Sequence, residues 1–253
     1  SSIRKLIRRI PGSKQLYLRW MIRTRPTFAG PKDDEFKGSF NELLKAHEGR
    51  PTQRWLHYGP IYDEVLERFV SQSPRVLEIG VAGGGSMELW SKFFGEGAQI
   101  VGLDSDPRCA LLGLNVYTGS QTDEILLRRI VAELGGLDIV IDDGSHLAGN
   151  QRQTFDVLFP LLSEHGAYII EDTHTSYLWS YGGGFRRPGT AVQFSKALVD
   201  GVHGWHHRTP LTQRSKLARN QVRSVKFFDS LIVIEKEQRN KPSSGTFGRG
   251  ELN

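Results

Sequence analysis

The chain has 253 residues, 38% of them hydrophobic and 24% charged, enough to bury the core of one α/β domain and ordinary for a globular protein. A single cysteine, Cys109, excludes an intrachain disulfide and fits a reducing compartment, so the expected location is cytoplasmic. The formal charge of +5 is unevenly placed: Arg4, Lys5, Arg8, Arg9, Lys14, Arg19, Arg23 and Arg25 occur without an intervening acid, and the remainder is slightly acidic.

That basic stretch, 3–22, is partly amphipathic and reads as a solvated helix face, with contact to anionic lipid as the sharper alternative. It lacks the continuous apolar segment of a secretory signal, and no run in the chain approaches the roughly 20 apolar residues of a membrane span. Arg25-Pro26 and Gly30-Pro31 mark turns. The spacing of Phe40, Leu43 and Leu44 predicts a short helix over 36–47, and Pro60 suits the first turn of a second helix over 61–69. Residues 1–52 are therefore read as an appendage, 53–237 as the main domain and 238–253, polar and glycine-rich, as a tail.

From Arg75 apolar runs alternate with helical patterns. Strands are expected at 75–79, 99–103, 115–117, 137–141 and 167–170, and helices at 86–94, 123–134, 150–162 and 190–199, with a short turn at 107–112. Short buried strands separated by helices indicate a mostly parallel sheet covered on both faces. Two β-rich runs, 222–228 and 231–236, flank Asp229-Ser230 and predict a closing hairpin. A parallel sheet finished by an antiparallel hairpin is the seven-stranded, Rossmann-like layout of class I methyltransferases, with the last strand antiparallel.

In such sheets ligands bind beyond the carboxyl ends of the strands. The first strand runs into Gly80-Val81-Ala82-Gly83-Gly84-Gly85, where missing Cβ atoms let a ligand approach the backbone. Glu78 just before this loop offers nothing to a pyrophosphate but attracts an ammonium, which favours S-adenosylmethionine over a nicotinamide cofactor. Asp104 ends the second strand, placed to accept from ribose hydroxyls, whereas Asp106 before Pro107 suits a helix cap. The loop containing Ser120 and Gln121 borders the expected adenine position, with helix capping by Ser120 or Thr122 as the plainer role.

The fourth strand stops at Asp142-Asp143-Gly144-Ser145-His146 and the fifth at Glu171-Asp172-Thr173-His174. Four carboxylates at neighbouring tips repel one another unless they are protonated or share a cation. All-oxygen ligation favours Mg2+, Mn2+ or Ca2+ over zinc, while helix capping and ordinary ion pairs are the structural alternative. His146, three residues beyond Asp143, is the candidate general base, and His174 a weaker one. His203, His206 and His207 read as a substrate-side or surface loop.

The segments 76–86, 139–146, 170–177 and 224–236 resemble the methyltransferase domain of metal-dependent sugar O-methyltransferases, the group that includes macrolide-tailoring and mycobacterial polysaccharide enzymes. Leu56-His57-Tyr58-Gly59-Pro60-Ile61-Tyr62 resembles the helix placed before the first strand in that group, so the match covers about 53–236. The resemblance implies Asp143, Glu171 and Asp172 as ligands of Mg2+ (or Mn2+) and His146 as base. It implies S-adenosylmethionine contacts from Glu78, Gly80, Gly83, Asp104, Ser120, Gln121 and Asp142, the last beside the metal without ligating it. Tyr177, Trp179 and Phe185, around Gly182-Gly183-Gly184, are implied to approach the acceptor, with a mobile surface loop as the alternative. The macrolide enzyme's separate N-terminal domain has no expected counterpart here, which leaves homo-oligomer formation open.

The expected activity is therefore S-adenosylmethionine- and metal-dependent methylation of a hydroxyl on a saccharide, a polysaccharide precursor or a glycosylated natural product. A catechol or other diol O-methyltransferase is the first alternative, and a non-catalytic methyltransferase-fold adapter bound to membranes the second. Nucleic acid is not an expected partner, because the basic residues concentrate outside the motifs of the expected cleft.

Overall fold

The computed structural model describes residues 36–248, so the basic stretch at 3–22 and the last residues of the tail lie outside it. A compact unit begins at Gly38, and residues 38–52 belong with the sheet domain.

Among the described residues two α-helices precede the sheet: α1, Ser39–Lys45, and α2, Tyr58–Leu66. Pro60 lies in the first turn of α2, where its missing N–H costs nothing. The chain then alternates: β1 Arg75–Ile79, α3 Gly85–Phe94, β2 Gln99–Asp104, β3 Val116–Thr118, α4 Glu124–Glu133, β4 Ile139–Asp142, α5 Ala148–Leu158 and β5 Ala167–Ile170. After two short 3-10 turns come α6 Ala191–Val202, α7 Gln213–Gln221, β6 Val222–Phe228 and β7 Leu231–Lys236. Among the described residues no helix is long and apolar enough to cross a membrane.

The strands form one sheet in the order β3-β2-β1-β4-β5-β7-β6. The first five pair in parallel, and β7 runs antiparallel to both β5 and β6. Both strands of the expected hairpin have the expected limits. Helix α7 was not expected: its segment carries no apolar stripe, and only Ala218 of it is buried.

Alternation along each strand splits the core into two layers. Leu77 and Ile79 of β1 pack with Leu127, Ile130, Phe155 and Leu198 of α4, α5 and α6. Val76 and Ile139 face the opposite way, against Phe40, Tyr62, Trp90 and Phe94 of α1, α2 and α3. Trp90 is fully buried, with Phe40 and Tyr62 rings about it at 4.8 and 5.1 Å. Each such side chain removed from water contributes about 1.5–3 kcal/mol, and this second layer fixes α2 beside the strand tips.

The register then sets the site. Ile79 lies opposite Asp142, and Asp142 opposite Ile170, so the residues after β1, β4 and β5 emerge side by side. Connections leave β1 and β4 toward opposite edges of the sheet, so these two tips mark the switch point at which open α/β sheets bind ligands.

Candidate active site

At the β1 tip, Gly80 has φ +94°, and a Cβ there would stand 2.1 Å from the Asp143 carbonyl oxygen. Glycine is required because the β4 loop packs directly over it. The close approach at Gly83 and Gly85 comes from the chain itself: added Cβ atoms would meet the Pro51 oxygen at 2.9 Å and the Arg50 oxygen at 2.2 Å. Residues 50–58 thus cross the strand tips as a strap. Arg50 anchors it, its N–H donating to Glu88 Oε2 at 2.9 Å and its guanidinium pairing with Glu88 Oε1 at 3.1 Å.

Asp104, at the β2 tip, accepts from the backbone N–H groups of Ala82 (3.0 Å) and Asp106 (2.8 Å). It ties the glycine loop to the second strand and stays partly exposed. Asp106 caps the following 3-10 turn through Arg108 N–H. The cap of α4 is Asp123, which leaves Ser120 exposed beside Thr122, 2.8 Å between hydroxyls. Gln121 is buried and turns inward: its amide nitrogen donates to Asp142 at 3.2 Å and Thr154 at 3.1 Å, and its oxygen accepts from Ser145 N–H at 2.8 Å. Tyr168 also donates to Asp142, at 3.1 Å. Burial pushes the Asp142 carboxyl up to about 7, against the bonds from Tyr168, Gly144 and Gln121.

Beyond the β4 and β5 tips one oxygen of Asp143, one of Asp172 and one ring nitrogen of His146 lie within 4.8 Å of one another, the one such metal-competent group among the described residues. His146 Nε2 is 3.7 Å from Asp143 Oδ1 and 3.9 Å from Asp172 Oδ2. Its Nδ1 is buried without a partner. The second oxygen of each aspartate is engaged elsewhere: Asp143 Oδ2 with Arg54, and Asp172 Oδ1 with the Trp55 N–H (3.2 Å) and the Tyr58 hydroxyl (3.0 Å). Each carboxylate is thereby held on one side and presents its other oxygen to the shared position.

Glu171 lies behind this group. Tyr62 donates to its Oε1 at 2.7 Å, and Arg54 to its Oε2 at 2.7 Å. Burial raises the carboxyl's pKa well above the ordinary range although Arg54 opposes the shift. Arg54 itself is 4% exposed and also donates to Glu78, at 2.8 Å. Glu78 is fully buried and accepts from the Ser86 hydroxyl (2.9 Å) and the Trp90 N–H (3.2 Å).

Ala82, His146 and Asp172 have left-handed backbones, with φ of 49°, 55° and 51°. Such non-glycine positions cost on the order of 1–3 kcal/mol each and gather at functional sites. Beyond Asp172, Tyr177 and Trp179 are exposed, and so is Phe185 at 79%. Arg187 covers the Trp179 ring at 5.3 Å. The His174 and Trp55 rings lie nearly perpendicular, their centroids 6.3 Å apart, while His203, His206 and His207 are exposed and outside the metal-competent group.

Sequence reasoning did not find Arg54, Tyr58 and Tyr62. The signal was present in part: clustered acids demand a counter-cation, and tyrosines four apart share a helix face.

No family model matches the chain. It is 34% identical over 227 residues to the 8-demethyl-8-(2-methoxy-alpha-L-rhamnosyl)-tetracenomycin-C 3'-O-methyltransferase of Streptomyces olivaceus, a match covering 85% of this chain and 58% of that protein. It is 39% identical over 197 residues to the mycinamicin VI 2''-O-methyltransferase of Micromonospora griseorubida, covering 72% of this chain and 46% of the relative. Among solved structures, the MycE methyltransferase in complex with Mg, SAH and mycinamycin VI superposes with a TM-score of 0.69 at 31% identity, over 80% of this chain and 54% of that one. The chain thus spans about half the length of the relatives it matches. Over that matched stretch the chain has the methyltransferase domain of the sugar O-methyltransferases, in the class I fold.

Proposed function

We propose that the chain is an S-adenosylmethionine-dependent O-methyltransferase that needs a divalent cation, Mg2+ or Mn2+, and methylates a hydroxyl of a sugar on a glycosylated small molecule or saccharide. The observation that carries this reading is the convergence of Asp143, Asp172 and His146 within 4.8 Å at the tips of β4 and β5, beside the glycine loop of β1. Two outward carboxylate oxygens fit a hard divalent cation, and the imidazole beside them is placed to take a proton rather than to ligate. The similarity to enzymes named as sugar O-methyltransferases, and to a methyltransferase solved with Mg and SAH, supports the same reading.

In this proposal Asp143 and Asp172 hold the cation through their outward oxygens. Glu171, the third ligand implied by resemblance, stands behind them on Tyr62 and Arg54. The cation supplies Lewis acidity that makes an acceptor hydroxyl more acidic, and S-adenosylmethionine supplies the methyl group. His146 receives the acceptor's proton at Nε2, the nitrogen that faces both aspartates. Gly80, Gly83 and Asp104 border the donor, with Ser120 at the adenine side, and Glu78 acts from beneath them through Arg54. Gln121 and Asp142 act from beneath, since their mutual bond and Gln121's bond to Ser145 N–H fix the loop that carries His146. Tyr177, Trp179 and Phe185 offer aromatic faces to a sugar and exclude water when it packs against them.

The test is mass spectrometry of products after incubation with methyl-labelled donor, Mg2+ and separate panels of glycosides and catechols. Label is expected on a glycoside and absent when a chelator is added. Transfer only to catechols, or undiminished transfer in chelator, would overturn the proposal.

A further inference from the structure

Arg54 belongs to the strap rather than to the sheet, yet it meets carboxylates from three strand ends. One terminal nitrogen donates to both Asp143 and Glu171, after β4 and β5, and the other donates to Glu78 near the end of β1. The guanidinium is almost wholly buried, and its Nε has no hydrogen-bond partner. A buried N–H left unmatched is unfavourable, so the side chain is placed by what its two terminal nitrogens reach. A planar fork with fixed spacing suits this task in a way a single ammonium does not.

One positive charge is thus divided between the donor end of the site and its metal end. We infer that Arg54 is a positioning residue that couples these ends: Glu78 draws the guanidinium toward the β1 tip and so limits its hold on Asp143 and Glu171. The inference rests on the metal-dependent reading above. When Glu78 loses its charge, the guanidinium settles on the other two carboxylates and competes more strongly with a divalent cation. Metal affinity then depends on a residue that itself holds no metal.

The test is a double-mutant cycle read by calorimetric binding of Mn2+ to the full chain in the absence of donor and acceptor. Glu78→Gln keeps the shape and the bonding of residue 78 to Ser86 and Trp90 while removing its charge. In the otherwise unaltered protein it is expected to weaken Mn2+ binding by about fivefold to tenfold. In an Arg54→Met background the same change is expected to alter affinity by less than about twofold. Direct loss of a nearby negative charge would act equally in both backgrounds, so equal effects overturn the bridge. If Arg54→Met does not fold, Arg54→Lys decides: it keeps a charge but not the fork, and the Glu78→Gln effect should again shrink below about twofold. Failure of the unaltered protein to bind Mn2+ at all overturns the metal-dependent reading and this inference together, whereas equal effects overturn the bridge alone.

Discussion

β1 and β4 carry an arginine–carboxylate arrangement at each end, and the two are built differently. At the base of the sheet Arg75 meets one carboxylate, Asp138, through Nε at 2.8 Å, a terminal nitrogen at 2.9 Å and its backbone N–H at 2.9 Å, while its other terminal nitrogen donates to the Gly135 carbonyl at 2.5 Å. Ser163 adds a further bond to Asp138 at 2.5 Å. At the tips a single guanidinium serves Glu78, Asp143 and Glu171, with Asp172 close by. The base is charge-matched, which is what stability asks of a partly buried pair. The tips hold more negative charge than the chain neutralises, an arrangement useful only if a cation or a proton joins it. The same strands thus show a charge-matched ion pair and a charge-unmatched one about a strand length apart.

The comparison is broken most sharply by His146→Ala. Turnover should fall by about 100-fold or more, while binding of S-adenosylhomocysteine and the thermal midpoint stay near those of the unaltered chain; near-normal turnover removes His146 as base.

Asp138→Asn tests the base. Burial raises the Asp138 carboxyl, but hydrogen bonds from Arg75 and Ser163 outweigh it and hold the pKa below the ordinary range. A carboxyl more acidic in the folded chain contributes stability that is complete above its unfolded pKa and disappears as pH falls through the folded one. The substitution should therefore lower unfolding free energy by about 1–3 kcal/mol at pH 7, with a smaller deficit in acid. A pH-independent deficit would show that packing, not charge, is what was lost.

The smallest effect is expected for the stability of Asp172→Asn. Asparagine tolerates the left-handed backbone and keeps an oxygen for Trp55 and Tyr58. Urea unfolding should shift by less than about 1 kcal/mol, although Mg2+-dependent turnover is lost. A large destabilisation would make the tips structural like the base.

The sheet was legible because its strands are short, apolar and bounded by turn residues, and the hairpin at 222–236 announced itself through the two-residue link at Asp229-Ser230. The acids at the tips were legible for the same reason, since each follows directly on a strand. What holds them was not. Arg54 and Tyr62 precede Glu171 by more than a hundred positions, and only tertiary packing of α2 against Trp90 and Phe40 brings them there. Gln121 shows the complementary limit: its loop was located, but no pattern in the loop tells which way an amide turns. Helix α7 escaped because its nine residues lean on α6 with little apolar surface of their own.

Glycines 83 and 85 carry a last consequence. Their bareness makes room for main-chain oxygens of Arg50 and Pro51, so a methyl group at either place would lift the belt on which Arg54 rides. A lesion there would register as a misplaced guanidinium several ångströms off, although the altered residue touches neither carboxylate nor ion. Loops rich in glycine are usually credited to the guest; in this molecule part of the credit goes to the host's own backbone.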